Sequence, residues 1–132
     1  MKFPLLLSSL LLGIAIAPGA IAADVPPPPR LADLAAAPAA TGLAEARKMV
    51  QVGQYDTAKV MQLQLKAGTR LPAHAAPDRV LVVVLGGSGE FEISGETVPL
   101  HERQVLHLQP GESHGVTAKT DLDLLLVRLG AH

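Results

Sequence analysis

The stretch from Arg79 to Val98 reads RVLVVVLGGSGEFEISGETV, and its pattern decides the fold class. Val80 to Leu85 is an unbroken apolar run of valine and leucine. A run this short, rich in branched side chains and bounded by glycine, fits a strand buried on both faces. Gly86-Gly87-Ser88-Gly89 then turns the chain. Glu90-Phe91-Glu92-Ile93 alternates polar with apolar, the period of a strand with one buried face. Ser94-Gly95 is a two-residue hairpin signal ahead of Thr97-Val98. The glycine run is not a phosphate loop, because no Lys-Ser/Thr follows and the next segment alternates like a strand.

The same grammar extends in both directions. Met61, Leu63 and Leu65 alternate with Gln62, Gln64 and Lys66, which predicts a half-buried strand with its amide side in water. Pro72 and Pro77 bracket an irregular loop holding His74. Val105 to Leu108, Gly115 to Ala118 and Leu122 to Leu129 are further strands, with a Pro110-Gly111 turn among them. Short strands at this spacing, punctuated by Gly and Pro, predict an all-β domain over residues 55–132, a small antiparallel barrel or double-sheet sandwich. Upstream, residues 23–54 read as a Pro/Ala-rich flexible arm. Asp24 to Arg30 is a stiff polyproline spacer. Leu43 to Met49 contains good helix formers and is expected to make one short helix. Residues 23–45 are otherwise expected to be poorly packed.

Residues 1–22 have the layout of a cleavable leader. Lys2 supplies a positive start, Leu5 to Ala17 an apolar stretch, and Ala20-Ile21-Ala22 a small-residue cleavage pattern. The apolar stretch is shorter than the roughly 20 residues that span a bilayer. There is no twin-Arg pair, so the expectation is general (Sec-type) export to the periplasm or outside the cell, with no membrane attachment after cleavage.

Composition limits the partners. The 132-residue chain carries 11 Lys and Arg against 12 Asp and Glu, a formal net charge of −1, and cleavage removes only Lys2. No basic stripe appears, which argues against nucleic acid. There is no Cys and no Trp, and only two Phe and one Tyr, so the core must be aliphatic. A small exported domain without disulfides relies on packing or association. A homodimer is the expectation, because Val80 to Leu85 and Leu122 to Leu129 offer more apolar surface than one small barrel needs.

Gly68 to Ala118 resembles the cupin family of small jelly-roll-like β-barrels, type 2-like and bacterial in its compactness. Gly68 is followed after five residues by His74, and Gly87 closes the first motif. Between them the family's second His falls on Ala76 and its Glu on Val80. In the second motif the positions fall on Arg103, Gln109, Gly111, His114 and Ala118. The spacing is intact without a gap. The resemblance implies that two His and the Glu of the first motif, with the His of the second, would hold a divalent metal. This chain keeps His74 and His114 and loses the other two.

A tight transition-metal site usually needs three or more N, O or S ligands. No metal cofactor is therefore expected. A rescued site for one divalent transition metal (Fe, Mn, Ni or Zn) would use His74 and His114 with Asp78 or His107. Arg79, turned inward by a bulge, would instead place a fixed positive charge there and favour an anionic ligand. His74 and His114 are expected on facing walls of the barrel mouth. Two functions follow. The first is a non-catalytic small-molecule-binding or structural module with a degenerate metal site, binding through His74, His114 and Arg79. The second is a metal-dependent cupin enzyme, acting as a dioxygenase, isomerase or decarboxylase on a small organic acid, phenol or sugar. Glu90, Glu92 and Glu96 read as the solvated side of a hairpin, and His101 and His132 as surface residues.

Overall fold

The computed structural model describes residues 2, 13–15, 19, 27–28, 30–39 and 42–130. The stretch read as a leader, residues 1–22, falls almost entirely outside these residues, as does His132. Among the described residues no helix is long and apolar enough to cross a membrane.

Nine strands follow one another: β1 (Arg47–Gln54), β2 (Ala58–Leu65), β3 (Arg70–Ala75), β4 (Arg79–Gly86), β5 (Ser88–Ile93), β6 (Glu96–His101), β7 (Val105–Leu108), β8 (Ser113–Ala118) and β9 (Leu122–Leu129). They form a five-stranded sheet, β1-β2-β9-β4-β7, and a four-stranded sheet, β3-β8-β5-β6, both antiparallel. This is the all-β double-sheet fold that the strand pattern predicts.

The turn residues explain the connections. Ser94 and Gly95 both take positive φ, 49° and 85°, which is what a two-residue hairpin loop with the twist of its strands requires. Gly87 has φ 82°, and a Cβ built there would stand 2.0 Å from the Asp121 carbonyl oxygen. Only glycine fits that close approach.

The core lies between the sheets. Val80, Val82 and Val84 of β4 point into it, together with Leu63 and Leu65 of β2, Leu122 and Leu124 of β9, and Phe91 of β5. Each such side chain contributes about 1.5–3 kcal/mol by leaving water.

Besides the irregular loop expected between Pro72 and Pro77, most of which is strand β3 and carries His74, three local expectations are corrected. Residues 43–49 do not form a helix: Ala44 to Ala46 bend, and β1 starts at Arg47. Pairing with β2 from Arg47↔Leu65 to Gln54↔Lys59 outweighs a weak helical propensity. The barrel's first sheet therefore begins inside the stretch read as arm. Second, β4 is not equally buried on both faces. Val80, Val82 and Val84 are buried, while Leu81 and Val83 are half-buried and Leu85 is exposed. Third, Gln62 and Gln64 are buried, not in water. The arm crosses them: Ala35 N–H donates to Gln62 Oε1 at 2.7 Å, and the Gln62 and Gln64 amides donate to the Ala35 and Ala36 carbonyls. Gln62 Nε2 also donates to Asp123 at 2.9 Å. The arm is thus tied to the outer face of β2 at Ala35 and Ala36, where buried amides need partners.

Candidate functional site

A cavity of about 300 Å³ opens between the two sheets. Its walls are mostly apolar, with Met49, Met61, Leu63, Leu71, Phe91 and Leu126 prominent. All four positions that the family resemblance ties to a metal line it: His74, Ala76, Val80 and His114. Motif spacing therefore converges in space as expected, with two of the side chains exchanged for hydrocarbon.

The two histidines are neighbours, not opposites. β3 pairs with β8 in a register that sets His74 directly across from His114. Their rings are 4.5 Å apart between centroids and tilted by 58°. They share one wall of the cavity, which corrects the facing-wall expectation. A directly opposite pair on adjacent strands must present both side chains to the same face. His114 is buried, at 8% exposure, and stacks on Phe91 at 6.4 Å. His74 is exposed at the rim. His114 Nδ1 lies 2.9 Å from the Glu112 carbonyl. A carbonyl only accepts, so Nδ1 carries the proton in this bond. His74 Nδ1 faces the Pro72 carbonyl at a longer 3.4 Å.

Arg79 does not turn into the cavity. It starts β4 on the parity opposite to Val80, and its guanidinium hydrogen-bonds the His107 ring. His107 pairs with Leu81, on that same outer side. Both are exposed and neither lines the cavity. Asp78 does not line it either. Its Oδ2 accepts from Arg128 Nη2 at 2.5 Å, so the carboxylate already has a cation.

The arginines that do line the cavity are Arg128 and Arg47. Arg128 shares the inward parity of Leu122, Leu124 and Leu126 on β9 and pairs with Val80 of β4. Its Nε is buried and has no hydrogen-bond partner. Both were missed by reading the sequence. β9 is apolar on both parities, so nothing marked Arg128 as inward, and Arg47 lay in the supposed helix.

The donor set does not fit a transition metal. Two imidazoles, a methyl and an isopropyl group fall short of the three ligands such a site needs. Among the described residues no group of three or more His, Cys, Asp or Glu side chains could hold a metal ion.

A small antiparallel barrel of five and four strands with a cavity between its sheets defines the class. A Cupin domain model matches residues 61–128, just over half of the chain, and the chain belongs to the cupin family. No curated protein matches it. Among solved structures it is similar to a conserved protein of unknown function from Streptococcus pyogenes, with 22% identity and a TM-score of 0.62, covering 68% of this chain and 79% of that one. An RmlC-like cupin from Desulfovibrio desulfuricans is 31% identical with a TM-score of 0.59, over 63% of this chain and 81% of that one. A salicylate 1,2-dioxygenase variant from Pseudoaminobacter salicylatoxidans has 18% identity and a TM-score of 0.61, over 65% of this chain but only 27% of that one. The likenesses to the Streptococcus and Pseudoaminobacter proteins are of fold alone.

Proposed function

We propose that this protein is an exported, non-catalytic cupin that binds a small molecule in the cavity between its sheets. One observation carries the reading: the four converging motif positions keep two imidazoles and replace the other two ligands by Ala76 and Val80 around a cavity of about 300 Å³. That volume lies at the lower end of small-molecule sites, about 300–1,000 Å³, and the largely apolar lining with few polar points is their usual composition. Enzyme chemistry would need a substitute ligand. Asp78 is held by Arg128 and His107 stands on the outer side of β4's partner strand, so neither candidate is supplied to the cavity.

Export rests on residues 1–22, and the mature chain should begin at Ala23 when its N-terminus is sequenced. A homodimer belongs to the same reading. Leu81, Val83, Leu125 and Val127 share the outer face of the five-stranded sheet and are only half-buried, and Val105 beside them is 64% exposed. Apolar patches of this kind favour association, and sedimentation at micromolar concentration checks it.

The deciding experiment is elemental analysis of the untagged mature protein, paired with thermal melting in the presence of 1-hexanol. The expected result is sub-stoichiometric Fe, Mn, Ni, Cu and Zn, and a melting temperature that rises as the alcohol fills the cavity. Metal near one equivalent would overturn the reading in favour of a metal-dependent enzyme.

A further inference from the structure

Among the described residues the polar lining of the cavity consists of Arg47, His74, His114 and Arg128, with no acidic side chain. Asp78 offsets the charge of Arg128. Arg47 is exposed and has no acidic partner among the described residues. Arg128 is the register partner of Val80, the place where the motif would have put a metal-binding carboxylate. A fixed cation therefore stands beside the position from which a carboxylate has been removed. Its Nη2 serves Asp78, and the side chain as a whole remains partly exposed and lines the cavity. A guanidinium is a planar fork suited to two carboxylate oxygens.

The histidine pair is the poorer place for an anion. His114 Nδ1 is already committed to the Glu112 carbonyl, and His74 is exposed at the rim. Arg128 by contrast carries a fixed positive charge, and an anionic head group is attracted to it. The remaining walls, including Met49, Met61, Leu63 and Leu126, suit a hydrocarbon body.

We propose that this barrel is an anion site built where its motif would hold a cation: the cavity takes a small monocarboxylate with an apolar body, its head on Arg128. The proposal rests on the small-molecule reading above and names the ligand class of that site.

The test is isothermal titration of the untagged mature protein with hexanoate, 1-hexanol and hexylammonium. Hexanoate should bind at least tenfold more tightly than the alcohol, and hexylammonium should not bind. The double variant Asp78→Asn/Arg128→Met removes both members of the ion pair, so it leaves no lone buried charge. It should bring hexanoate down to the level of the alcohol. If that variant does not fold, Arg128→Lys keeps a charge but loses the fork, and the preference for hexanoate should shrink. Equal binding of hexanoate and 1-hexanol by the unmodified protein would overturn the anion proposal and leave small-molecule binding standing. A preference that survives the loss of Arg128, or is unchanged in Arg128→Lys, would overturn its assignment as the head-group site. Binding of none of the three would sink both readings.

Discussion

The two ends of this barrel are built to different standards. At one end Leu65 and Leu122 are fully buried, and Leu100 and Ala118 close over them. Gly89 lets β5 come so near β8 that an added Cβ would lie 2.6 Å from the Thr117 carbonyl and 3.2 Å from Leu122. None of these residues lines the cavity. At the other end Val80, Arg128 and His114 surround unfilled volume, and a buried Arg128 Nε has no acceptor. Interiors normally pack without voids and satisfy buried donors. The filled end shows that this sequence can do both, so the departure is confined to the open end.

The largest effect that separates the ends should come from Gly87→Ala. A Cβ there meets the Asp121 backbone at 2.0 Å in a left-handed conformation, so the β4–β5 and β8–β9 connections cannot both stay in place. The expected loss is about 4 kcal/mol or more, in the exceptional range for one substitution. Failure to recover folded protein would agree with it, and a near-normal melting temperature would not.

A matched pair of leucine truncations sharpens the contrast. Leu122→Ala, at the filled end, should cost about 2–5 kcal/mol in denaturant unfolding. Leu126→Ala, on the cavity wall of the same strand, should cost about 1–2 kcal/mol, because that side chain already lacks neighbours on one side. Equal costs would mean that the two ends are packed alike.

The arm gives a smaller effect. Deleting residues 23–40 strips the partners Ala35 and Ala36 from the buried amides of Gln62 and Gln64. Unmet buried polar groups cost about 1–3 kcal/mol each, reduced here because water can enter once the arm has gone. A drop of about 1–2 kcal/mol is expected, with no change in hexanoate affinity, since none of the described residues among 23–40 lines the cavity.

The smallest effect has the opposite sign. Arg103 occupies a glycine position of the second motif and keeps a glycine's conformation, with φ 68°. Left-handed backbone costs a side-chain-bearing residue about 1–2 kcal/mol, partly offset by glycine's larger entropy loss on folding. Arg103→Gly should therefore stabilise the protein by roughly 0.5–1 kcal/mol in urea unfolding.

How much of this was legible in advance follows from parity and pairing. The Ser94-Gly95 hairpin and the alternation around Phe91 are local signals, and both appear in the structure. The convergence of His74 and His114 was legible from motif spacing. Their placement side by side on adjacent strands was not, because strand order is a non-local fact. β1 was hidden because its residues favour a helix in isolation and a strand only beside β2. The choice between Arg79 and Arg128 was hidden for a different reason. β4 and β9 are apolar on both parities, since their outer faces also carry Leu81, Val83, Leu125 and Val127. A strand that is hydrophobic on both sides does not say which of its flanking charges points inward.

The central claim is that the cavity receives a carboxylate and not a metal, with Arg128 as the receiving group. Nitrogen-edited NMR of the mature protein tests it most directly, because arginine side-chain N–H and histidine ring signals report the two alternatives in one sample. The account predicts that hexanoate moves the Arg128 side-chain N–H resonances in a saturable way, while one equivalent of Zn²⁺ leaves the His74 and His114 ring nitrogens unchanged. Saturable zinc shifts on both rings, with Arg128 indifferent to hexanoate, would contradict it.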